Sequence, residues 1–138
     1  MTDLEAVLTK FGLELHRGQT TWRWYGRFMN DWHDKDRAAA LNGWKPEQFG
    51  KGAHAIGLAG GKGYEIGLIP RRDGKPGYEL LYDAYGPGQQ LEKAAGVGLK
   101  NLKSELAAQV TTRELARAGY RLARSVDTSG AITITATK

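Results

Sequence analysis

The chain has 138 residues, no cysteine and 41% hydrophobic residues, which is typical of one globular domain. The absence of thiols excludes disulfides and thiolate metal sites, and it suits a reducing cytoplasm. No long apolar run follows the acidic first residues, so we expect neither a signal peptide nor a transmembrane helix.

The net charge of +5 comes from one part of the chain. Residues 1–50 contain seven Lys or Arg and seven Asp or Glu, whereas residues 51–138 contain thirteen and eight. A basic surplus favours polyanionic partners such as nucleic acids, although many basic domains bind none.

The N-terminal residues predict a helix followed by a strand. Apolar residues recur at helical spacing over residues 3–11, and Gly12 is suited to end that helix. The alternation in residues 13–15 predicts the start of a strand, and residues 16–19 predict a turn.

The next stretch, Thr20–Phe28, is rich in aromatic and basic residues, and its alternation predicts one strand. One face of this strand would carry Trp22 and Trp24, and the other would carry Arg23, Tyr25 and Arg27. Residues 29–52 are polar and interrupted by glycine and proline, and we interpret them as a loop-rich insertion.

A β-hairpin is the clearest prediction of the second half. Two runs rich in Tyr, Ile and Leu, at residues 64–69 and 78–82, flank a turn that contains Asp73-Gly74. We expect this hairpin in the middle of a small sheet, preceded by a strand at residues 53–59 and a glycine turn at residues 60–63.

A long helix is predicted from Gln89 to about Ala118. Gly96 and Gly98 weaken its first half, and Thr111-Thr112 indicate a kink or a restart. Residues 120–126 and 131–137 then predict a second hairpin.

These elements together predict a single α+β domain over residues 1–138. An N-terminal helix would precede a mainly antiparallel sheet, and one long helix, straight or kinked, would precede the C-terminal hairpin. Helices would cover one face of the sheet.

One pattern of residues resembles a known family. It reads Y-x-I-G-L, a turn with D-G, Y-E-L-x-x-D-x-x-G, a long helix, G-Y and x-G-x-I-T. The matching residues are Tyr64, Gly67, Asp73, Gly74, Tyr78, Glu79, Leu80, Asp83, Gly86, Gly119, Tyr120, Gly130 and Ile132. This pattern resembles the hypothetical chloroplast reading frame thirty-five family, small proteins of plastid, cyanobacterial and some phage genomes.

The resemblance covers roughly residues 53–138 and the first helix. The Trp-rich stretch at residues 22–50 is longer than in the family, and the extra first strand of some members is missing. Because the family has no established activity, the resemblance implies a fold and carries over no catalytic residue.

Three groups of residues are candidates for nucleic-acid binding. In the first, Trp22, Arg23, Trp24, Tyr25 and Arg27 alternate aromatic rings with cations. Bases could stack on the rings while the arginines neutralise phosphates, at ~1–3 kcal/mol for each stacked base. The alternative is that the tryptophans belong to the core and the arginines are solvated.

The other two groups are cations alone. Arg71, Arg72 and Lys75 lie in the hairpin turn, where a basic loop suits phosphate contact without sequence readout. The remaining basic residues lie in or after the long helix, and a solvated face explains them equally well. They are Lys93, Lys100, Lys103, Arg113, Arg117, Arg121 and Arg124.

Metal and catalytic sites are only weakly indicated. Asp31, His33, Asp34 and Asp36 could bind a divalent cation, but their spacing fits no standard loop. Glu79 and Asp83 would lie ~13 Å apart along a strand, too far for one acid–base pair. We therefore expect no enzyme, no metal site and no cofactor.

We interpret the chain as an accessory nucleic-acid-binding protein of transcription or replication. Phosphate contacts would give affinity with little sequence specificity, and stacking would favour single-stranded DNA or RNA over duplex. The expected partners are nucleic acid, a polymerase or another protein, and further copies of the chain. We expect it in the cytoplasm, or in the host cytoplasm if a phage encodes it, with no membrane contact.

The alternative hypothesis belongs to another class of protein. An adaptor that binds no nucleic acid would dock a protein partner through the Trp-rich insertion, since Trp and Arg are frequent at interface hot spots.

Overall fold

The computed structural model describes residues 2–24, 27–28, 43, 45, 51–61 and 63–138. The elements in chain order are α1 (Thr2–Lys10), β1 (Leu13–Arg17), β2 (Arg23–Trp24), β3 (Arg27–Phe28), β4 (His54–Leu58), β5 (Ile66–Pro70), β6 (Tyr78–Leu81), α2 (Gln89–Ala95), α3 (Lys100–Arg117), β7 (Arg121–Val126) and β8 (Ile132–Thr137). They confirm the predicted α+β class, with antiparallel strand pairs, an N-terminal helix and a long helix before a C-terminal hairpin.

The chain divides into two compact units. The terminal unit contains the residues up to Phe11 together with Glu92–Lys138, and the central unit contains Gly12–Leu91. The expectation of one domain over the whole chain stays a prediction. Most of the predicted insertion at residues 29–52 lies outside the described residues.

The central unit contains a four-stranded antiparallel sheet in the order β1-β4-β5-β6. The predicted hairpin is confirmed as β5 and β6, joined by a turn in which Gly74 adopts a φ of 74°. The prediction that this hairpin occupies the middle of the sheet is wrong for β6. Within the described residues β6 lies at the edge, because β1 pairs with β4 rather than with β6.

The prediction of one strand over Thr20–Phe28 is also wrong. Arg23 pairs with Phe28 and Trp24 pairs with Arg27, so the chain reverses direction between β2 and β3. The predicted turn at residues 16–19 begins later than expected, because β1 continues to Arg17. Alternation of side chains occurs both in a single strand and in two short strands of a hairpin, and the sequence pattern does not distinguish them.

The two central strands, β4 and β5, alternate large and small side chains. Ile56, Ile66 and Leu68 share one face, whereas Ala55, Gly57 and Gly67 share the other. Trp22 lies on this small-residue face, where a Cβ added at Gly67 would be 2.4 Å from its indole ring. The ring is fully buried, so Trp22 belongs to the core of the central unit.

In the terminal unit, α1 and the hairpin of β7 and β8 both pack on α3. The predicted long helix is interrupted at Gly96–Leu99, where Gly98 and Leu99 adopt φ values of 64° and 59°. The side chain of Leu99 is fully buried despite this left-handed backbone. From Lys100 to Arg117 the helix is continuous, so the prediction of a kink at Thr111-Thr112 is wrong.

We expect Gly67→Ala to destabilise the protein by about 2 kcal/mol or more, because its methyl group would overlap the indole of Trp22. Urea unfolding followed by tryptophan fluorescence measures this loss. Gly63→Ala is the matched control, since nothing lies within 4 Å of a Cβ at that position and its φ is not left-handed. Equal stability of the two variants would contradict the close packing of Trp22 on β5.

Candidate nucleic-acid interface

A buried carboxylate organises the region around the first predicted binding group. The side chain of Glu65 is 1% exposed and lies just before β5. Its Oε1 atom accepts a hydrogen bond from Arg23 Nη2 at 2.7 Å. Its Oε2 atom accepts from Gln19 Nε2 at 2.7 Å and from the Arg23 backbone N–H at 3.0 Å. His16 Nδ1 lies 3.2 Å from Oε1, so donors or cations surround the whole carboxylate.

This arrangement makes Trp22 and Arg23 part of the folded interior rather than of a surface on which nucleic acid could bind. Arg23 is held by Glu65, and the indole of Trp22 presents no face to solvent on which a base could stack. The backbones of Trp24 and Arg27 lie in β2 and β3, but their side chains lie outside the described part of the structure. Tyr25 also lies outside the described residues.

The predicted turn group lies between β5 and β6, and most of its charge is neutralised locally. Arg71 forms an ion pair with Asp73, and this hydrogen bond lowers the pKa of the Asp73 carboxyl group. Arg72 binds Glu79 at 2.9 Å, lowers its pKa, and also donates to the Gly43 carbonyl at 2.9 Å. Lys75 is exposed and has no ion-pair partner within the described ranges.

The arginines of the terminal unit are likewise engaged. Arg113 forms ion pairs with Asp3 and with Glu114, and Arg117 lies 3.4 Å from Glu114. Arg124 binds Glu105 through two nitrogens at 2.7 and 2.6 Å, while Lys10 Nζ lies 2.8 Å from the same carboxylate. The two cations, Arg124 above all, hold the pKa of the Glu105 carboxyl group at about 2.

Five of the predicted cations remain exposed without an ion pair in the described residues: Lys75, Lys93, Lys100, Lys103 and Arg121. Lys100 and Lys103 lie one turn apart at the beginning of α3, and Arg121 begins β7 of the same unit. Lys75 belongs to the central unit. The structure therefore leaves one pair of adjacent free cations, at the N-terminus of the long helix.

The first turn of α3 has an unusual charge. It contains no acidic residue, and Leu99, which precedes it, provides no side-chain hydrogen bond to its N–H groups. The Lys100 N–H donates to the Val97 carbonyl instead. A cleft of about 500 Å³ lies beside this turn and is lined by Lys100, Asn101, Ser104 and Ser129 among others. Helix N-termini carry partial positive charge, so the two lysines add to a region that is already electropositive.

The sequence interpretation missed the two buried acids. Glu65 lies within the apolar run Tyr64–Ile69, where a single charged residue is a signal of a buried ion pair. Glu105 lies three residues from the buried Leu102 and three from the buried Ala108, hence on the covered side of α3. Both acids could have been recognised from their positions, but their partners could not.

Other kinds of site find no support in the described residues. No three His, Cys, Asp or Glu side chains within them lie together as a metal site requires, and the predicted candidates Asp31, His33, Asp34 and Asp36 fall outside the described ranges. None of the described helices is long and apolar enough to cross a membrane.

The chain matches no protein-family model, no curated protein and no solved structure. Its resemblance to the chloroplast reading frame family therefore stays a prediction, and the functional interpretation depends on the residues themselves.

We expect Glu65→Ala to destabilise the protein by about 3–5 kcal/mol, because it leaves Arg23 and His16 without their shared carboxylate. Glu14→Ala is the control, since Glu14 also contacts His16 but is about half exposed, and it should cost far less than Glu65→Ala. Urea unfolding measures both. Similar losses in the two variants would show that the buried position of Glu65 has no special importance.

The low pKa of Glu105 predicts a pH-dependent contribution to stability. A carboxyl group with a depressed folded-state pKa stabilises the fold above its unfolded-state value of 4.5, and this contribution is lost as the pH falls through about 2. We expect Glu105→Gln to lower the unfolding free energy at pH 7 by about 1–2 kcal/mol, a value reduced because Lys10 and Arg124 are half exposed. Urea titrations should show this difference shrinking between pH 4.5 and pH 2. A difference that does not depend on pH would exclude the ion pairs as its cause.

Proposed function

We propose that the protein binds nucleic acid without catalysis, through sequence-tolerant phosphate contacts, as an accessory factor of transcription or replication. The contacts come from the exposed cations that the fold leaves without an ion pair, above all Lys100 and Lys103. Arg121 adds positive charge to the terminal unit, to which both lysines belong, and Lys75 carries an exposed charge in the central unit.

The observation that carries this proposal is the placement of two lysines in the first turn of α3. Helices are stabilised by acids at the N-terminus and by cations at the C-terminus, each by about 0.3–1 kcal/mol. Lys100 and Lys103 contradict this preference, and the first turn of α3 contains no acid to balance them. A bound phosphate would offset the repulsion that the two lysines meet at this end of the helix.

The expected preference for single strands depends on aromatic residues. Trp22 is excluded from this role because its ring is buried, which leaves Trp24 and Tyr25 as the predicted stacking residues. In the proposed complex, phosphate contacts provide the affinity, and stacking on these two residues provides the preference for single-stranded DNA or RNA.

Fluorescence anisotropy with labelled single-stranded and duplex oligonucleotides, titrated with salt, tests the proposal. We expect the double variant Lys100→Gln/Lys103→Gln to weaken binding uniformly across sequences. It should also reduce the slope of log affinity against log salt by about 1.4 for single strands, as expected for two lost phosphate contacts.

The matched control is Lys45→Gln/Lys51→Gln, which removes the same charge from two exposed lysines outside the predicted group. This variant should change the salt slope by less than half as much. The proposal is wrong if no oligonucleotide binds at about 50 mM salt, or if the two double variants change the slope equally. Equal affinity for duplex and single strand would contradict the proposed stacking on aromatic residues, but not the proposed phosphate contacts.

A further inference from the structure

The hairpin of β7 and β8 has one strand edge that is open to pairing. Within the described residues β8 pairs with β7 alone, so its second edge is unpaired. The Asp127 N–H donates to the Ala131 carbonyl at 3.1 Å, which identifies these two residues as a hydrogen-bonded pair. Because such pairs alternate along an antiparallel ladder, Thr133, Thr135 and Thr137 bond to β7. The N–H and C=O groups of Ile132, Ile134 and Ala136 therefore point to the open edge.

This edge carries none of the features that normally prevent strand addition. Residues 131–137 read A-I-T-I-T-A-T, with no charge and no proline, and their pairing with β7 is continuous without a bulge. Proteins usually protect an exposed strand edge with a charged side chain, a proline or a β-bulge. The opposite edge, on β7, carries Arg121 and Arg124.

Space for additional side chains exists next to the open edge. The cleft of about 500 Å³ lies between α3 and β8, and Ala107, Ala108 and Thr111 line it together with Ile132 and Ile134. Both isoleucines are only half-buried, so the hairpin covers its face of α3 incompletely. A strand added to β8 would place its inward side chains over this cleft.

We propose that the occupant of this edge is β8 of a second copy of the chain, paired antiparallel with Ile134 opposite Ile134. The resulting four-stranded sheet would have twofold symmetry, in which each copy contributes the same surface. This inference goes beyond nucleic-acid binding and does not depend on it.

The sequence of β8 is complementary to itself in this register. Ile132 faces Ala136 of the partner on the inner side, and Thr133 faces Thr135 on the outer side, a pairing that favours cross-strand contact. In this register Ile132 and Ala136 of one copy pair with Ala136 and Ile132 of the other, and Ile134 pairs with Ile134. Each N–H and C=O group that points to the open edge therefore gains a hydrogen-bond partner. No two like charges meet along the strand.

The charged residues at the two ends of the strand do not oppose this pairing. Lys138 follows β8, and in the proposed register it lies opposite Gly130 of the second copy, in the turn that contains Asp127. Asp127 accepts hydrogen bonds from Ser129 and Ala131 within its own turn and remains exposed. Within its own copy, Lys138 Nζ lies over the ring of Tyr120, 5.1 Å from the ring centroid, and the proposed pairing leaves it there.

Analytical ultracentrifugation of the full chain over a wide concentration range tests the proposal, and we expect a reversible dimer. Thr133→Lys/Thr135→Lys places like charges opposite each other across the interface and should raise the dimer Kd about tenfold or more. Thr133→Lys/Thr135→Glu is the matched control, because it places opposite charges at the same positions and should keep Kd within about threefold. Both threonines are exposed and face the uncharged Ser125 and Ala123 in β7, so neither variant creates a cavity or places like charges directly opposite each other within one copy.

Disulfide trapping provides a second test, because the chain has no cysteine of its own. Ile134→Cys should form a covalent dimer on oxidation, whereas Val126→Cys, on the same side of the hairpin but in β7, should not. The proposal is wrong if the chain stays monomeric at all concentrations or if the two charge variants dissociate equally. It is also wrong if cross-linking at position 134 is no more efficient than at position 126.

Discussion

The carboxylate of Glu65 lies out of water, where an unpaired charge would cost several kcal/mol. It is accommodated because residues 19–23 bring an amide, a backbone N–H and a guanidinium to its two oxygens. These hydrogen bonds hold that segment across the small-residue face of the sheet, and there Trp22 covers Gly67. One buried charge thus determines the course of the chain between β1 and β2. It also withdraws a cation and an indole ring from the surface that a ligand could reach.

With Arg121 and Lys10 as exceptions, the arginines and lysines that the structure describes have different roles. Arg23, Arg72 and Arg124 each donate to a carboxylate in a fixed geometry, which the planar guanidinium group favours. The lysines at positions 75, 100 and 103 carry exposed charge without an ion pair in the described part of the chain. Hydrated point charges of this kind suit phosphate contact, whereas base edges are read by side chains of fixed hydrogen-bonding geometry, such as the arginine fork. The distribution of charge is therefore consistent with binding that tolerates many sequences.

Local patterns predicted the elements well where a single periodicity extended over the whole segment. The first helix, predicted at residues 3–11, is observed at Thr2–Lys10, and both hairpins are present. Prediction failed at Thr20–Phe28, because two short strands joined by a reversal show the same alternation as one strand. The predicted kink at Thr111-Thr112 is also absent, and the helix is interrupted at residues 96–99 instead. Gly96 and Gly98 were recognised as weak positions, but the left-handed backbone of Leu99 depends on the burial of its side chain.

The amino-acid sequence by itself determined the α+β class, the two hairpins, the long helix and the excess of positive charge in the second half, because each depends on neighbouring residues. Only the tertiary structure decided which charges remain available, since Glu65 meets Arg23 and Glu105 meets Arg124 across 42 and 19 residues. It likewise decided that β6 and β8 are edge strands, because strand order depends on pairing between distant segments. Of the fifteen candidate binding residues, those that pair internally could not be separated from the free ones without these long-range contacts.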